Sequence, residues 1–188
     1  MLEQRSDGVF VRRGFLSPPD LMKVLSALER LAPSWTLSEE LGLLGRGRTV
    51  QVRPGDIAAQ APLDEVRRIV APQALAWARA CGFWLPSAPR LQMFPVRMIG
   101  DRLAPPRQEP HVDTYGGPSD VPVCTIVFYA KAHRLTGGDL IVAAVEPDRP
   151  PLALQPTPNS IASFAGDRVH WVAPLFDGER LSVVINLY

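Results

Sequence analysis

His170-Trp-Val-Ala-Pro-Leu-Phe-Asp-Gly-Glu-Arg180-Leu-Ser182 is the stretch that decides how this chain folds. The run Leu181–Tyr188 that completes it is rich in β-branched residues and reads as a strand. Alternate residues of a strand share one face, so Arg180 and Ser182 look one way and Glu179 the other. Asp177-Gly178 is a turn signal, and the chain is expected to reverse there, between the histidine and the arginine. An unpaired guanidinium inside a β-barrel is unfavourable by something on the order of several kcal/mol. No acidic residue lies at strand spacing to pair with Arg180. A guanidinium beside a hydroxyl matches a carboxylate brought from outside the chain.

Upstream stands His111-Val112-Asp113, so this pattern uses two of the chain's three histidines. On one strand or its end, His111 and Asp113 reach the same side and Val112 points away. H-x-D alone is a weak signal. It gains weight from the distant His170 in a β-rich half, and more from Arg180. A jelly-roll barrel brings such remote segments together across its mouth. Two imidazoles and one carboxylate with open positions form the ligand set of a non-haem Fe(II) oxygenase.

The first half of the chain has a helical period. Residues 8–16 read as a short strand, Ser17 as an N-cap and Pro18 as a first-turn residue. Leu21, Val24, Leu25, Leu28 and Leu31 recur at helical spacing until Pro33. Residues 36–56 are irregular, with a short strand expected at Arg48–Val52. A second helix is expected from Leu63 to Ala80, kinked or divided at Pro72. From Arg90 the period changes to short runs: Leu91–Met98, Val121–Ala130, Leu140–Ala144, Ser160–Phe164 and Leu181–Tyr188. Gly137-Gly138-Asp139 and Pro156-Thr-Pro-Asn159 are turns between them. The expected fold is mainly β with N-terminal helices: a double-stranded β-helix (jelly-roll or cupin-like) barrel supported by helices. Residues 1–188 are expected to form one domain, 1–89 mainly helical support and 90–188 the β-barrel core.

Composition narrows the partners. With 46% hydrophobic and 21% charged residues the chain has the composition of a soluble globular protein. A net charge of +1 argues against a nucleic-acid or polybasic membrane surface. Cys81 and Cys124 are expected as free thiols in a reducing compartment, and the start has no secretory h-region, so a cytoplasmic location is expected. The oligomeric state is not legible.

The chain resembles the Fe(II)/2-oxoglutarate-dependent dioxygenase superfamily, in particular its prolyl-4-hydroxylase-like branch. The matching pieces are Leu91-Gln-Met93, His111-Val-Asp-Thr-Tyr-Gly-Gly117, Thr125-Ile-Val-Phe-Tyr129, Gly137-Gly-Asp-Leu140 and His170 to Ser182, in the family's order. The resemblance implies that His111, Asp113 and His170 are the metal ligands and catalytic core, holding Fe(II). It further implies that Arg180 binds the distal carboxylate of the co-substrate 2-oxoglutarate, assisted by Ser182, with Tyr129 and Thr125 as further co-substrate contacts. Dioxygen is the second co-substrate implied, and ascorbate a candidate accessory reductant. The branch often carries an Arg-Tyr pair where this chain has Arg97-Met98, which implies a reshaped pocket. The retained Asp113 implies hydroxylation or a related oxidation over halogenation.

The expected reaction is hydroxylation of an unactivated C–H bond in a small substrate such as an amino acid or secondary metabolite, with succinate and CO2 released. The alternatives are a prolyl or peptidyl hydroxylase, a cupin-like metal oxygenase that does not use 2-oxoglutarate, and a silent binding module. Among other residues, Trp35, Trp77 and Trp84 are expected in the core or in helix packing, Trp171 pointing outward, and His133 in a loop. Arg102 and Arg107 read as surface charge, Asn186 as a residue on the parity of Arg180, and Tyr115-Gly116-Gly117 as a lid or a plain turn.

Overall fold

The computed structural model describes residues 3–4, 8–114, 117 and 120–188. Tyr115 and Gly116, the expected lid position, lie outside them. Two antiparallel sheets face each other. The larger has eight strands: β1 (Glu3–Gln4), β2 (Phe10–Arg13), β3 (Trp35–Leu37), β5 (Thr49–Val52), β6 (Leu91–Ile99), β8 (Cys124–Gly137), β11 (Ser160–Ala165) and β13 (Leu175–Leu187). The smaller has five: β4 (Gly45–Arg46), β7 (Arg107–His111), β9 (Leu140–Val142), β10 (Leu152–Leu154) and β12 (His170–Val172). From β8 in the large sheet the chain passes to a β9–β10 hairpin in the small one and then alternates through β11, β12 and β13, the winding of a jelly roll. The large sheet runs β1-β2-β11-β8-β13-β6-β5-β3 and the small one β10-β9-β12-β7-β4.

Two helices cover the outer face of the large sheet. Helix α1 (Pro18–Glu29) starts where the sequence places it, with the Ser17 hydroxyl accepting from the Asp20 N–H at 3.3 Å. Helix α2 (Ile57–Ala80) begins six residues earlier than its apolar stripe suggests, because Asp56 caps it through the Ala58 N–H. Pro72 does not divide α2. Both Pro72 and Arg68, whose carbonyl loses its intrahelical donor, face solvent, where water can replace the missing bond. Val24, Leu28 and Leu31, with Val66, Val70 and Trp77, pack on Ile126, Phe128, Val183 and Ile185. Each such fully buried aliphatic side chain contributes about 1.5–3 kcal/mol.

The strand periodicity assigns the inner face. Ile126, Phe128, Val183 and Ile185 go to the helices, so Thr125, Val127 and Tyr129 on β8 and Arg180, Ser182, Val184 and Asn186 on β13 turn toward the small sheet. Asn159 closes the corner before β11 at φ 55, its amide exchanging 2.9 Å bonds with the backbone N–H and carbonyl of Leu16.

Other expectations meet a different outcome. The chain does not reverse at Asp177-Gly178: it leaves β12 through Ala173-Pro174, and β13 already runs from Leu175. Asp177-Gly178 is an irregularity within that strand, with register shifts on both sides and Gly178 at φ 90. Trp84 is 79% exposed, whereas Trp77 is buried and donates to the Ser163 hydroxyl at 3.0 Å. Besides both helices, residues 1–89 also supply strands: β2, β3 and β5 extend the large sheet and β4 the small one. Cys81 and Cys124 are free thiols, as expected. Among the described residues no helix is long and apolar enough to cross a membrane.

Candidate metal centre

Strands β7 and β12 pair antiparallel in the small sheet with His111 opposite His170. The imidazole centroids are 4.4 Å apart. Asp113 follows just past the end of β7 and turns back on both rings, its Oδ1 3.4 Å from His111 Nε2 and its Oδ2 3.7 Å from His170 Nε2. The three candidate ligand atoms all lie within 4.8 Å of one another, close enough to share one ion with bonds of about 2 Å each.

The backbone selects the ligating nitrogens. His111 Nδ1 lies 2.7 Å from the Glu109 carbonyl and His170 Nδ1 lies 3.0 Å from the Arg168 carbonyl. A carbonyl only accepts, so each Nδ1 carries a proton, and in the neutral imidazole that a metal requires the lone pair is then on Nε2, the nitrogen facing Asp113. Phe164 packs on the His170 ring at 4.9 Å.

The electrostatics are those of a site built for a cation. Burial works against charge on Asp113, but its hydrogen bond with His111 and the field of both imidazoles outweigh it and hold the carboxyl below its ordinary range. Its Oδ2 is buried and makes no hydrogen bond. Burial would also depress His111, yet its bonds to Asp113 and the Glu109 carbonyl prevail and raise it. His170 is lowered, chiefly by burial and against the pull of Asp113. Two neutral-capable nitrogens and one orphaned carboxylate oxygen suit a divalent metal of intermediate hardness, Fe(II) included.

A cavity of about 530 Å³ opens from this triad. Arg180, Ser182 and Asn186 line it from β13. Arg180 is only 3% exposed. Its Nη1 donates to the Gly138 carbonyl at 3.1 Å, its guanidinium lies 5.1 Å from the Tyr129 ring centroid, and its Nε has no partner. Among the described residues no carboxylate forms an ion pair with it. Burial lowers its pKa, against the opposing influence of Tyr129 and Asp139. The Tyr129 hydroxyl is likewise buried without a partner. A bulge where Leu181 and Ser182 pair with Lys131 and Tyr129 sets that ring across from Ser182. Ser182 Oγ makes one long bond, 3.4 Å to the Val96 carbonyl.

Other residues fall outside this set. Thr125 does not line the cavity; its hydroxyl donates to Asn186 Oδ1 at 3.1 Å. His133 is exposed on β8, not in a loop. Arg102 and Arg107 pair with Asp177 and Glu109 at the surface. Arg97 points outward to Glu179 while Met98 faces the cavity. Sequence reasoning missed Gln51 and Gln92, which line the cavity from β5 and β6. Strand parity with Met98 was the available signal for Gln92.

No protein-family model and no curated protein matches the chain. Solved structures do match over nearly its whole length. A prolyl-4-hydroxylase from Pseudomonas putida superposes with TM-score 0.65 at 21% identity, covering 97% of this chain and 92% of that one. A prolyl hydroxylase from Trichoplax adhaerens, in complex with a peptide fragment of a hypoxia inducible factor oxygen degradation domain, gives TM-score 0.69 at 13% identity, with 97% and 84% covered. The non-heme alpha ketoglutarate dependent epimerase SnoN from nogalamycin biosynthesis gives TM-score 0.71 at 17% identity, with 97% and 78% covered. The double-stranded β-helix of this chain is therefore the fold of 2-oxoglutarate-Fe(II) oxygenases of known structure.

Proposed function

We propose that this chain is an Fe(II)- and 2-oxoglutarate-dependent oxygenase that hydroxylates an unactivated C–H bond of a small substrate. The observation that carries this reading is a buried guanidinium with an unpartnered Nε in the same cavity as the His111–Asp113–His170 triad. A cupin-like oxygenase without a diacid co-substrate would leave Arg180 buried to no purpose. The overall conversion couples 2-oxoglutarate, dioxygen and substrate C–H to succinate, CO2 and C–OH, one oxygen atom entering each oxidised product.

Bound Fe(II) would supply the activation of dioxygen, and the protein supplies orientation and exclusion of water. Arg180 grips the distal carboxylate of 2-oxoglutarate, with Ser182 and the Tyr129 hydroxyl as flanking donors. Val127, Leu140 and Val184 add apolar wall to the same cavity. His111 and His170 present Nε2, and Asp113 contributes the charge that offsets part of the ion's own.

The cavity lies within the usual size range for small-molecule sites, about 300–1,000 Å³, which favours a free metabolite as substrate. The peptide bound to the Trichoplax structure keeps a peptidyl substrate as the second reading. A succinate-release screen over free amino acids, related metabolites and short proline-containing peptides separates them. Turnover that needs Fe(II), 2-oxoglutarate and dioxygen together is expected; oxidation that proceeds equally well without 2-oxoglutarate would refute the proposal.

A further inference from the structure

Gln51 is a buried amide for which the metal centre and its diacid anchor have no use. It sits on β5 opposite Val96 of β6, which pairs in turn with Ser182 of β13, so its side chain shares the inner face of the large sheet. It lines the cavity and is 7% exposed, yet among the described residues its side chain makes no hydrogen bond. An amide held away from bulk water without a partner costs about 1–3 kcal/mol, so this one is placed for a polar group brought from outside the chain.

Arg53 follows at the same parity, one residue past β5, and lines the cavity at its exposed end. A tight turn fixes its backbone: the Asp56 N–H donates to the Arg53 carbonyl at 3.1 Å across Pro54 and Gly55, with Gly55 at φ 79. Among the described residues Arg53 forms no ion pair and no side-chain hydrogen bond. The described carboxylates that line the cavity are Asp113, at the triad, and Asp56, whose Oδ1 accepts from the Ala58 N–H as the cap of α2. Arg180 belongs to another part of the wall. It and Thr49 both pair with Met98, and Arg53 lies four residues beyond Thr49, about 13 Å along the strand direction and two strands away from Arg180. A diacid held by Arg180 therefore leaves Arg53 for a second anion. We propose that Gln51 and Arg53 form the substrate end of this cavity and select a small molecule with a free carboxylate, Arg53 pairing with that carboxylate and the Gln51 amide with a further polar group of the same molecule. This rests on the oxygenase reading above and gives its substrate a chemical class.

The test uses the full-length protein in two steps. Succinate release with Fe(II) and 2-oxoglutarate is screened over free L-amino acids, short hydroxy acids and dicarboxylic acids, each beside its primary amide, and over short proline-containing peptides with blocked ends. The acid that stimulates most is then titrated calorimetrically into protein loaded with Mn(II) and saturating 2-oxoglutarate, so that Arg180 is already occupied. A free acid is expected to stimulate at least about tenfold more than its amide, and Arg53→Met to weaken its binding about tenfold or more, as for a lost hydrogen bond to a charged group. Arg53→Lys should keep part of that affinity. Gln51→Leu should weaken binding about three- to tenfold without lowering the melting temperature of the metal-free protein, which a merely structural Gln51 would lower. Equal stimulation by acid and amide, stimulation by blocked peptides alone, turnover of 2-oxoglutarate that no free acid stimulates, or acid binding within about twofold of wild type in Arg53→Met or Gln51→Leu overturns the carboxylate subsite and leaves the oxygenase standing. No succinate release under any condition overturns the oxygenase and the subsite with it. Should Gln51→Leu fail to fold, Arg53→Met, a change at an exposed position, decides by the same criterion.

Discussion

His111 and His170 face each other across one antiparallel strand pair, their rings 4.4 Å apart and each fixed by the carbonyl two residues before it. The two nitrogens are therefore placed by the backbone ladder of the small sheet, whereas the third donor, Asp113, comes from the loop that follows. Rigid imidazoles and one adjustable carboxylate divide the work of holding an ion.

Asp113→Ala should abolish tight divalent binding, by more than the about 100-fold that loss of an outer partner can cost. The metal-free protein should keep its fold, because the carboxylate is poorly satisfied without an ion: its Oδ2 has no hydrogen bond. Circular dichroism and isothermal titration with Mn(II) check both halves. A variant that unfolds would make Asp113 a structural residue.

Arg180→Met should raise the 2-oxoglutarate requirement at least about 100-fold, since a charge-assisted and bidentate contact is lost. The metal-free variant should be more stable than wild type by about 1 kcal/mol, as a buried guanidinium with an unsatisfied Nε disappears. Thermal melts with and without 2-oxoglutarate measure the two effects. Equal stabilisation of both proteins by the diacid would contradict the anchor role.

Glu179 is held below its ordinary range: burial opposes its charge, but its hydrogen bond to Lys131 and the field of Arg97 and Lys131 prevail. A depressed carboxyl stabilises the fold above its unfolded pKa of about 4.3, and that stabilisation is lost as pH falls through the lower folded value. Glu179→Gln should therefore lower stability by about 1 kcal/mol at neutral pH and converge on wild type in strong acid. Denaturant midpoints across an acid pH series would show the convergence, and parallel curves would exclude the linkage.

Gly178→Ala should destabilise the protein by about 2 kcal/mol or more. The residue sits at φ 90, and an added Cβ would lie 2.3 Å from the His133 carbonyl oxygen. Because the irregularity immediately precedes Arg180, the variant should also weaken 2-oxoglutarate binding. Normal stability would mean that β13 tolerates a regular strand here.

Much of the barrel was legible because its cause is local. The alternation of Arg180, Ser182 and Asn186 against Leu181, Val183 and Ile185 is a property of any strand, and so is the outward turn of Glu179. Ser17 and Pro18 announce α1 through chemistry confined to one helical turn. Trp84 failed for the opposite reason: it lies beyond α2, where no period tells a buried aromatic from an exposed one.

The sequence by itself determined the residue types of the centre, the faces they share on their strands and the order of helix and strand. Only the tertiary structure decided that β7 pairs with β12 so that His111 meets His170, and that Asp177-Gly178 distorts a strand instead of ending it. It alone turned the Thr125 hydroxyl to Asn186. Strand register and bulges depend on partners far away in the chain, and neither alternation nor turn chemistry carries information about those partners.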